Sequence, residues 1–289
     1  MSPHSGIIVA ATAGAVVLAA RFLGAPAPPD PTELVTIAAG AFSYRAAGEY
    51  LRDGVPVNAP LLRIARDRPL VMMKHQVSRT EYAACVAAGA CRTTAAAAGA
   101  GDRPVVEVSW DDAAAYAAWL SKTTGHVYRL PTDAEWAYAA GDRFRDDALS
   151  ADGNASDPSK RWLAAYDAES AGGDESDPEP RPFGAFGANR NGVADMAGNV
   201  WEWTATCYVR HASHADNAGT APDTLTENCG VRVVEGSHRA YLPDFIRRPR
   251  GGACSAGRPP DNLGIRLVRD DDGSLVSRVL GFLRALVPA

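Results

Sequence analysis

The sequence lacks several features that would assign it to a common class of protein. Its five cysteines include no Cys-x-x-Cys pair, so a zinc ribbon is not supported. Its first uncharged stretch, residues 7–20, has fourteen residues, fewer than the roughly 20 that cross a bilayer. Its net charge of −5 argues against nucleic acid as a partner, because phosphate binding needs a basic face. No repeat of solenoid period is visible.

What is present indicates a folded, loop-rich protein. The chain has 289 residues, of which 46% are hydrophobic and 22% charged, which is enough to bury a core in one large domain or two small ones. Its 27 glycines and 20 prolines disfavour a long helical bundle or coiled coil. We therefore expect many turns and irregular connections.

The N-terminus has the pattern of an export segment. The apolar stretch 7–20 matches the core of a signal peptide, so we assign residues 1–25 to a signal peptide or a signal anchor. Leu23-Gly24-Ala25 offers a cleavage site, but the proline that follows would hinder the peptidase, which leaves an uncleaved, membrane-associated anchor open. Residues 26–33 form a Pro-rich linker. Either interpretation predicts a periplasmic or otherwise exported protein.

The cysteines support export. Cys85 and Cys91 flank a Gly-containing turn, and Cys207 and Cys229 bracket a polar insert. Two disulfides that close loops in this way fit an oxidising compartment. Cys254 is left over.

Short patterns predict one strand and four helices. The run 34–37 is typical of a strand, and residues 273–289 form an amphipathic C-terminal helix that packs on the domain or contacts a membrane surface. Three further helices each begin with a hydroxyl residue followed three positions later by a carboxylate, which is the capping-box pattern. These starts are Ser78/Glu81, Ser109/Asp112 and Thr132/Glu135, and the helices end near Gly89, Thr124 and Gly141.

Charge is unevenly distributed in the second half of the chain. Residues 142–191 are turn-rich and acidic, a composition more typical of a solvated loop than of a metal site. Residues 239–269 hold seven arginines against two aspartates. This region is a candidate for contact with an acidic partner or with the acidic loop itself.

Four segments of the chain have specific sequence patterns. The most specific is the run from Asn191 to Trp203, which contains Gly-Asn-Val-Trp-Glu-Trp, and the others are Pro104–Trp110 with the helix that follows it, Arg129–Trp136 and Asn262–Val268. In this order, the four segments resemble the formylglycine-generating enzyme, or sulfatase-modifying factor, domain. The resemblance implies an α+β, C-type-lectin-like fold with little regular secondary structure, here over residues 34–272.

The resemblance also implies bound calcium, for which the sequence offers Asn199 and Glu202. Both supply the hard oxygen atoms that calcium prefers, next to a Gly turn. Alternation along a strand would point Trp201 and Trp203 to one face and Glu202 to the other. The alternative is that Asn199 caps the turn and Glu202 pairs with an arginine.

The resemblance fails where the family's chemistry is carried out. Active members oxidise a substrate cysteine with two cysteines that bind copper, and thiolate pairs select Cu(I). Matched residue by residue, those positions are Ala240 and Phe245, so formylglycine generation is not expected. The ergothioneine-synthase branch uses a His-rich iron site, but no His-x3-His occurs here.

Three further groups are candidates for chemistry or binding. Cys254, with His238 nearby, is a candidate redox residue or transient copper ligand, or else a small buried hydrophobe. Cys207-x3-His211-x2-His214 has soft-metal ligand types, unless Cys207 is oxidised. A groove for an anionic partner segment is predicted from Trp201, His238, Arg239, Arg247 and Arg248. Surface salt bridges explain those arginines equally well.

Tyr44-Arg45, the segment from Cys85 to Cys91, the acidic insert and Gly252-Ala253-Cys254-Ser255 carry a narrower resemblance, to NirV-type accessory proteins of copper nitrite reductase. It predicts an accessory or maturation factor that acts on another exported protein, a metalloenzyme. The competing hypothesis is a non-catalytic binding protein of the toxin-immunity type, which would use the former substrate groove as an interface.

Overall fold

The computed structural model describes residues 32–95, 101–148, 179–214, 223–248 and 262–270. The predicted export segment 1–25, most of the linker, Cys254 and the predicted helix 273–289 lie outside these residues. Within them, the chain forms mostly short strands with three α-helices. This mixed, sheet-rich architecture with few helices agrees with the predicted class.

The three helices begin where the sequence predicts. They are α1 (Arg79–Ala87), α2 (Trp110–Thr124) and α3 (Asp133–Ala140), the last followed by a 3-10 turn, Gly141–Arg143. All three capping boxes form, because the hydroxyl of Ser78, Ser109 or Thr132 accepts from the backbone three residues on. Gly125 ends α2 in the left-handed conformation, with φ of 74°. Among the described residues, no helix combines the length and apolarity that a membrane crossing requires.

The strands form three sheets. They are β1 (Leu34–Ile37), β2 (Gly40–Arg45), β3 (Glu49–Arg52), β4 (Val55–Val57), β5 (Leu61–Arg66), β6 (Leu70–Met73), β7 (Val127–Arg129), β8 (Trp201–Ser213), β9 (Thr224–Glu235), β10 (Arg239–Pro243), β11 (Leu263–Gly264) and β12 (Val268–Asp270). An antiparallel sheet has the order β1-β6-β12-β7. A larger sheet has the order β10-β9-β8-β3-β4, with β11 beside β8, and β2 pairs with β5. The predicted strand 34–37 is β1.

Two apolar clusters fill the space between these elements. The larger one contains Trp203, Tyr116, Leu120 and Leu242, and Trp201 packs against it. The smaller one surrounds the fully buried Trp136 of α3. Because Trp201 and Trp203 contact the same cluster, the predicted alternation along β8 is confirmed, and Glu202 points to the opposite face.

Candidate functional site

The two positions that would carry the family's cysteines differ in environment. Ala240 lies in β10, opposite Val234 of β9, and is fully buried in the larger apolar cluster. Phe245 follows the strand, and 70% of its side chain is exposed. Neither alanine nor phenylalanine contains sulfur, so neither position offers a thiolate to bind copper.

Trp201 and His238 do lie together. The indole Nε1 of Trp201 donates to the carbonyl of His238 at 3.1 Å, and the two rings pack edge to face with centroids 5.4 Å apart. Gly236 lets the β9–β10 turn approach this pair, because a Cβ there would lie 2.5 Å from the Trp201 ring. Two of the residues named for the predicted groove are thus in direct contact, and the groove itself stays a prediction.

Arg239 occupies a different place from the predicted groove. Its guanidinium is fully buried and pairs with Glu235 at 2.8 Å, Asp147 at 2.8 Å and Asp133 at 3.0 Å. Backbone carbonyls of Arg45 and Ala46 accept from it as well. With every nitrogen engaged, Arg239 cannot receive an anionic partner segment, so that part of the predicted groove is wrong.

Arg247 and Arg248 are also paired with acids of this chain. Arg247 contacts Asp112 at 2.8 Å, and the largely exposed Arg248 contacts Glu107 at 2.8 Å. The alternative of surface salt bridging therefore describes these two arginines. Their acidic partners come from α2 and the segment before it, which the sequence had not linked to the Arg-rich region.

The acids around Arg239 form a cluster that the sequence analysis missed. Tyr44 donates its hydroxyl to Asp133, and Tyr241 donates to Asp147 at 2.5 Å. Glu235 Oε2 and Asp133 Oδ1 are buried and have no donor among the described residues, while the two carboxyl groups lie within hydrogen-bonding reach of each other. One proton held between them would satisfy both oxygens.

The surroundings favour Glu235 as the group that holds this proton. Burial and the neighbouring Asp133 raise the pKa of Glu235 well above its usual range, and Arg239 only partly opposes this. Burial opposes the charge of Arg239, but the surrounding acids, Asp133 above all, raise the pKa of Arg239 above its usual range. Three acidic side chains thus surround one guanidinium.

A cavity of about 430 Å³ borders this cluster. Residues of β3, β4, β8, β9 and β10 line the cavity, together with Asp147. Its lining includes Arg239, Asp147, Glu49, the tyrosines Tyr50, Tyr208 and Tyr241, and apolar residues among which are Val57, Val231 and Pro243. The side-chain periodicity of short strands could not reveal this cavity, because its walls come from segments nearly 200 residues apart.

The residues predicted to bind calcium do not fit that ion. Both oxygens of Glu202 are occupied by Arg266 at 2.8–3.1 Å, and they also accept from Gln76 and Trp136. The side chain of Asn199, whose φ is 66°, exchanges two hydrogen bonds with the backbone of Arg181. Glu202 therefore pairs with an arginine, as the alternative states, whereas Asn199 binds the backbone of a segment 18 residues away and does not cap its own turn.

Both predicted disulfides are confirmed. Cys85 is bonded to Cys91, and Cys207 to Cys229. An oxidised Cys207 is not a thiolate ligand, so the soft-metal pattern that starts at this residue does not form. His211 instead packs on Tyr50, and His214 lies 3.6 Å from Asp53. Copper held by Cys254 and His238 stays a prediction, since Cys254 lies outside the described residues.

Comparison with known proteins agrees with these observations. A family model described as the sulfatase-modifying factor enzyme 1-like domain matches residues 22–271. The inactive C-alpha-formylglycine-generating enzyme 2 of Bos taurus is 34% identical over 161 residues, which cover 47% of this chain and 51% of that protein. The formylglycine-generating enzyme of Mycobacterium tuberculosis is 32% identical over 179 residues, 58% of this chain and 57% of that protein. The chain thus spans about half the length of the curated relatives it matches.

Among solved structures, that of PvdO from Pseudomonas aeruginosa is similar. It superposes with a TM-score of 0.51 and 24% sequence identity, covering 85% of this chain and 99% of that one. This likeness concerns the fold alone.

Proposed function

Because the chain belongs to the sulfatase-modifying factor enzyme 1-like domain family, we propose that it is a member that binds a partner protein without generating formylglycine. The observation that carries this proposal is the state of its sulfur atoms. Of the five cysteines, four are joined in two disulfides, which leaves at most one thiol. An oxidation that needs two copper-binding thiolates therefore lacks its ligands.

The two matched positions support the same conclusion. Ala240 is packed in the core and Phe245 faces solvent, so neither offers a ligand or a redox group. Relatives of similar identity include two proteins named inactive C-alpha-formylglycine-generating enzyme 2 and others named formylglycine-generating enzyme. Membership of the family is therefore compatible with loss of the reaction.

The finer proposal is an exported accessory or maturation factor for a metalloenzyme such as copper nitrite reductase. Two disulfides support export, since such bonds persist in oxidising compartments. This proposal includes three finer features: similarity to NirV-type proteins, a C-type-lectin-like fold and the binding of copper. A toxin-immunity protein is the outcome that would replace it.

The first experiment tests whether the reaction is absent. The purified protein is incubated with Cu(I) and a sulfatase-type peptide that contains the target cysteine, and the peptide is followed by mass spectrometry. We expect no conversion of cysteine to formylglycine, with an active formylglycine-generating enzyme as the positive control. Conversion above the level of a protein-free reaction would overturn the proposal.

A second measurement counts thiols independently of activity. Alkylation of the denatured, non-reduced protein should modify one cysteine, and alkylation after reduction should modify all five. The variant Cys254→Ala should give none before reduction. Three or more reactive thiols before reduction would contradict the two disulfides on which the argument depends.

Copper content and partner capture then separate the two finer functions. Copper bound at one equivalent and lost in Cys254→Ala would support the maturation factor. Protein free of copper that forms a tight complex with a toxin would support the immunity protein and exclude copper handling.

A further inference from the structure

The cavity of about 430 Å³ beside Arg239 has the size and lining of a small-molecule site. Its volume lies within the range of natural ligand pockets, and its walls combine apolar residues with a few polar groups. It is distinct from the Trp201–His238 pair and from Phe245, none of which lines it.

The charges around the cavity favour a cation. Its lining contains two acids, Asp147 and Glu49, and one base, Arg239. The Arg239 guanidinium is fully buried and saturated by Glu235, Asp133, Asp147 and two carbonyls. Glu49 is paired with Arg210 at 2.9 Å. Asp147 pairs with Arg239, but 21% of its side chain remains exposed.

The cluster behind Asp147 carries an excess of negative charge. Three acids, Asp133, Asp147 and Glu235, surround the single cation of Arg239, so acidic groups outnumber the base in this cluster. Asp133 is fully buried, so the part of this charge that a ligand can reach lies on Asp147. A cation placed there would balance the cluster.

Aromatic rings complete the site. Tyr208 and Tyr241 pack edge to face, with centroids 5.4 Å apart, and their hydroxyls bind Glu49 and Asp147. Tyr50 also lines the cavity, and its hydroxyl has no hydrogen-bond partner among the described residues. Tyrosine faces attract organic cations, and more strongly where water is excluded.

We propose that this cavity binds an organic ammonium ion, with the charged nitrogen beside Asp147 and the hydrocarbon part against the tyrosines, Val57 and Val231. The free hydroxyl of Tyr50 supplies a further hydrogen-bond acceptor for the ammonium group. The apolar wall adds affinity without selecting charge, so selectivity for the cation depends on Asp147 and on the rings.

Three probes of similar length separate charge from hydrophobicity: n-hexylammonium, 1-hexanol and hexanoate. Binding to the full chain is measured by ligand-observed NMR titration. We expect the ammonium ion to bind about tenfold more tightly than the alcohol, and the carboxylate to bind more weakly than either. Equal affinities for all three probes, or no binding of the ammonium ion at about 10 mM, would refute the proposal.

Two variants locate the site. Asp147→Asn keeps the shape of the side chain and should reduce the affinity for hexylammonium to that for hexanol. Asp146→Asn is the matched control, because the neighbouring Asp146 pairs with Arg45 and does not line the cavity. Unchanged binding in Asp147→Asn, or an equal loss in both variants, would place the cation elsewhere.

A third variant guards against unfolding of Asp147→Asn. Tyr50→Ala removes one aromatic ring from the lining of the cavity and leaves the Arg239 ion pairs intact. It should weaken hexylammonium binding at least about tenfold with a cooperative melting transition retained. Undiminished binding by a folded Tyr50→Ala protein would also rule out the site.

Discussion

Glu202 and Glu235 show how neighbours decide the state of a buried acid. The two residues are direct partners in the β8–β9 ladder, so their side chains share one face of the sheet. Both are fully buried. Glu202 pairs with Arg266, whereas Glu235 shares Arg239 with Asp133 and Asp147, and burial and Asp133 raise the pKa of Glu235 well above its usual range. Two identical charges opposite each other would repel, and a proton on Glu235 removes that cost.

The variant Glu235→Gln tests this protonation. A folded-state pKa above the unfolded value means that ionisation of the unfolded chain lowers stability as the pH rises past about 4.5. An amide reproduces the neutral acid, accepting from Arg239 and donating to Asp133. We therefore expect Glu235→Gln to match the wild type near pH 4 and to be more stable near pH 8 in urea unfolding.

A loss of stability in Glu235→Gln at high pH would contradict this protonation. If Glu235→Gln loses stability at pH 8 and not at pH 4, the glutamate is ionised in the folded protein. The wild type must be measured at the same pH values, because folding raises the pKa of Glu235 while it lowers that of Glu135. Burial opposes its charge, but Arg129 lowers the pKa of Glu135 to about 2, so its contribution to stability disappears as the pH falls from about 4.5 towards 2.

At the scale of elements, the helices are where sequence and structure agree most closely. Each helix start depends on two residues three positions apart, so the pattern can be read locally. In α2, the Ser109 hydroxyl accepts from the Asp112 backbone, and the Asp112 carboxylate accepts from the Ser109 backbone at 2.9 Å. Asp112 also binds Arg247, a contact from a distant segment that no local pattern contains.

Ser109→Ala should destabilise the protein by about 1 kcal/mol, because it leaves helix N-terminal donors without their cap. Chemical unfolding measures the loss. Thr123→Ala is the control within the same helix: it is exposed, makes no cap and should change stability by less than about 0.5 kcal/mol. Equal effects of the two substitutions would show that the capping box contributes nothing to α2.

At the scale of the whole molecule, Arg266 connects elements that are far apart in sequence. Besides Glu202 of β8, its guanidinium binds the carbonyls of Met73, Lys74 and Ala194. Trp136 of α3 and Gln76 bind the same carboxylate. One buried ion pair thus joins the larger sheet to β6, to α3 and to the segment before β8.

Removing half of that ion pair should be costly. Glu202→Gln leaves a buried cation without its counter-charge, and we expect a loss of about 3–5 kcal/mol, measured by the midpoint of urea unfolding. Glu33→Gln breaks the exposed pair with Lys74 and should cost no more than about 1 kcal/mol. Similar losses in the two variants would refute the central role given to Arg266.

The sequence by itself determined the features that depend on neighbours in the chain or on specific runs of residues. These are the three helix starts, the strand at 34–37, the alternation of Trp201 and Trp203, the four cysteines that form disulfides and the family. The absence of cysteine at 240 and 245 was equally plain, because it requires only the residue types.

Only the tertiary structure decided which charges meet. Arg239 looked like part of an exposed basic groove, and Glu202 looked like a calcium ligand, because residue type says nothing about burial or distant partners. Asp133, Asp147 and Glu235 come from three separate segments, and Arg266 lies 64 residues from Glu202. The pairing of such groups depends on long-range packing and desolvation, which no local pattern encodes.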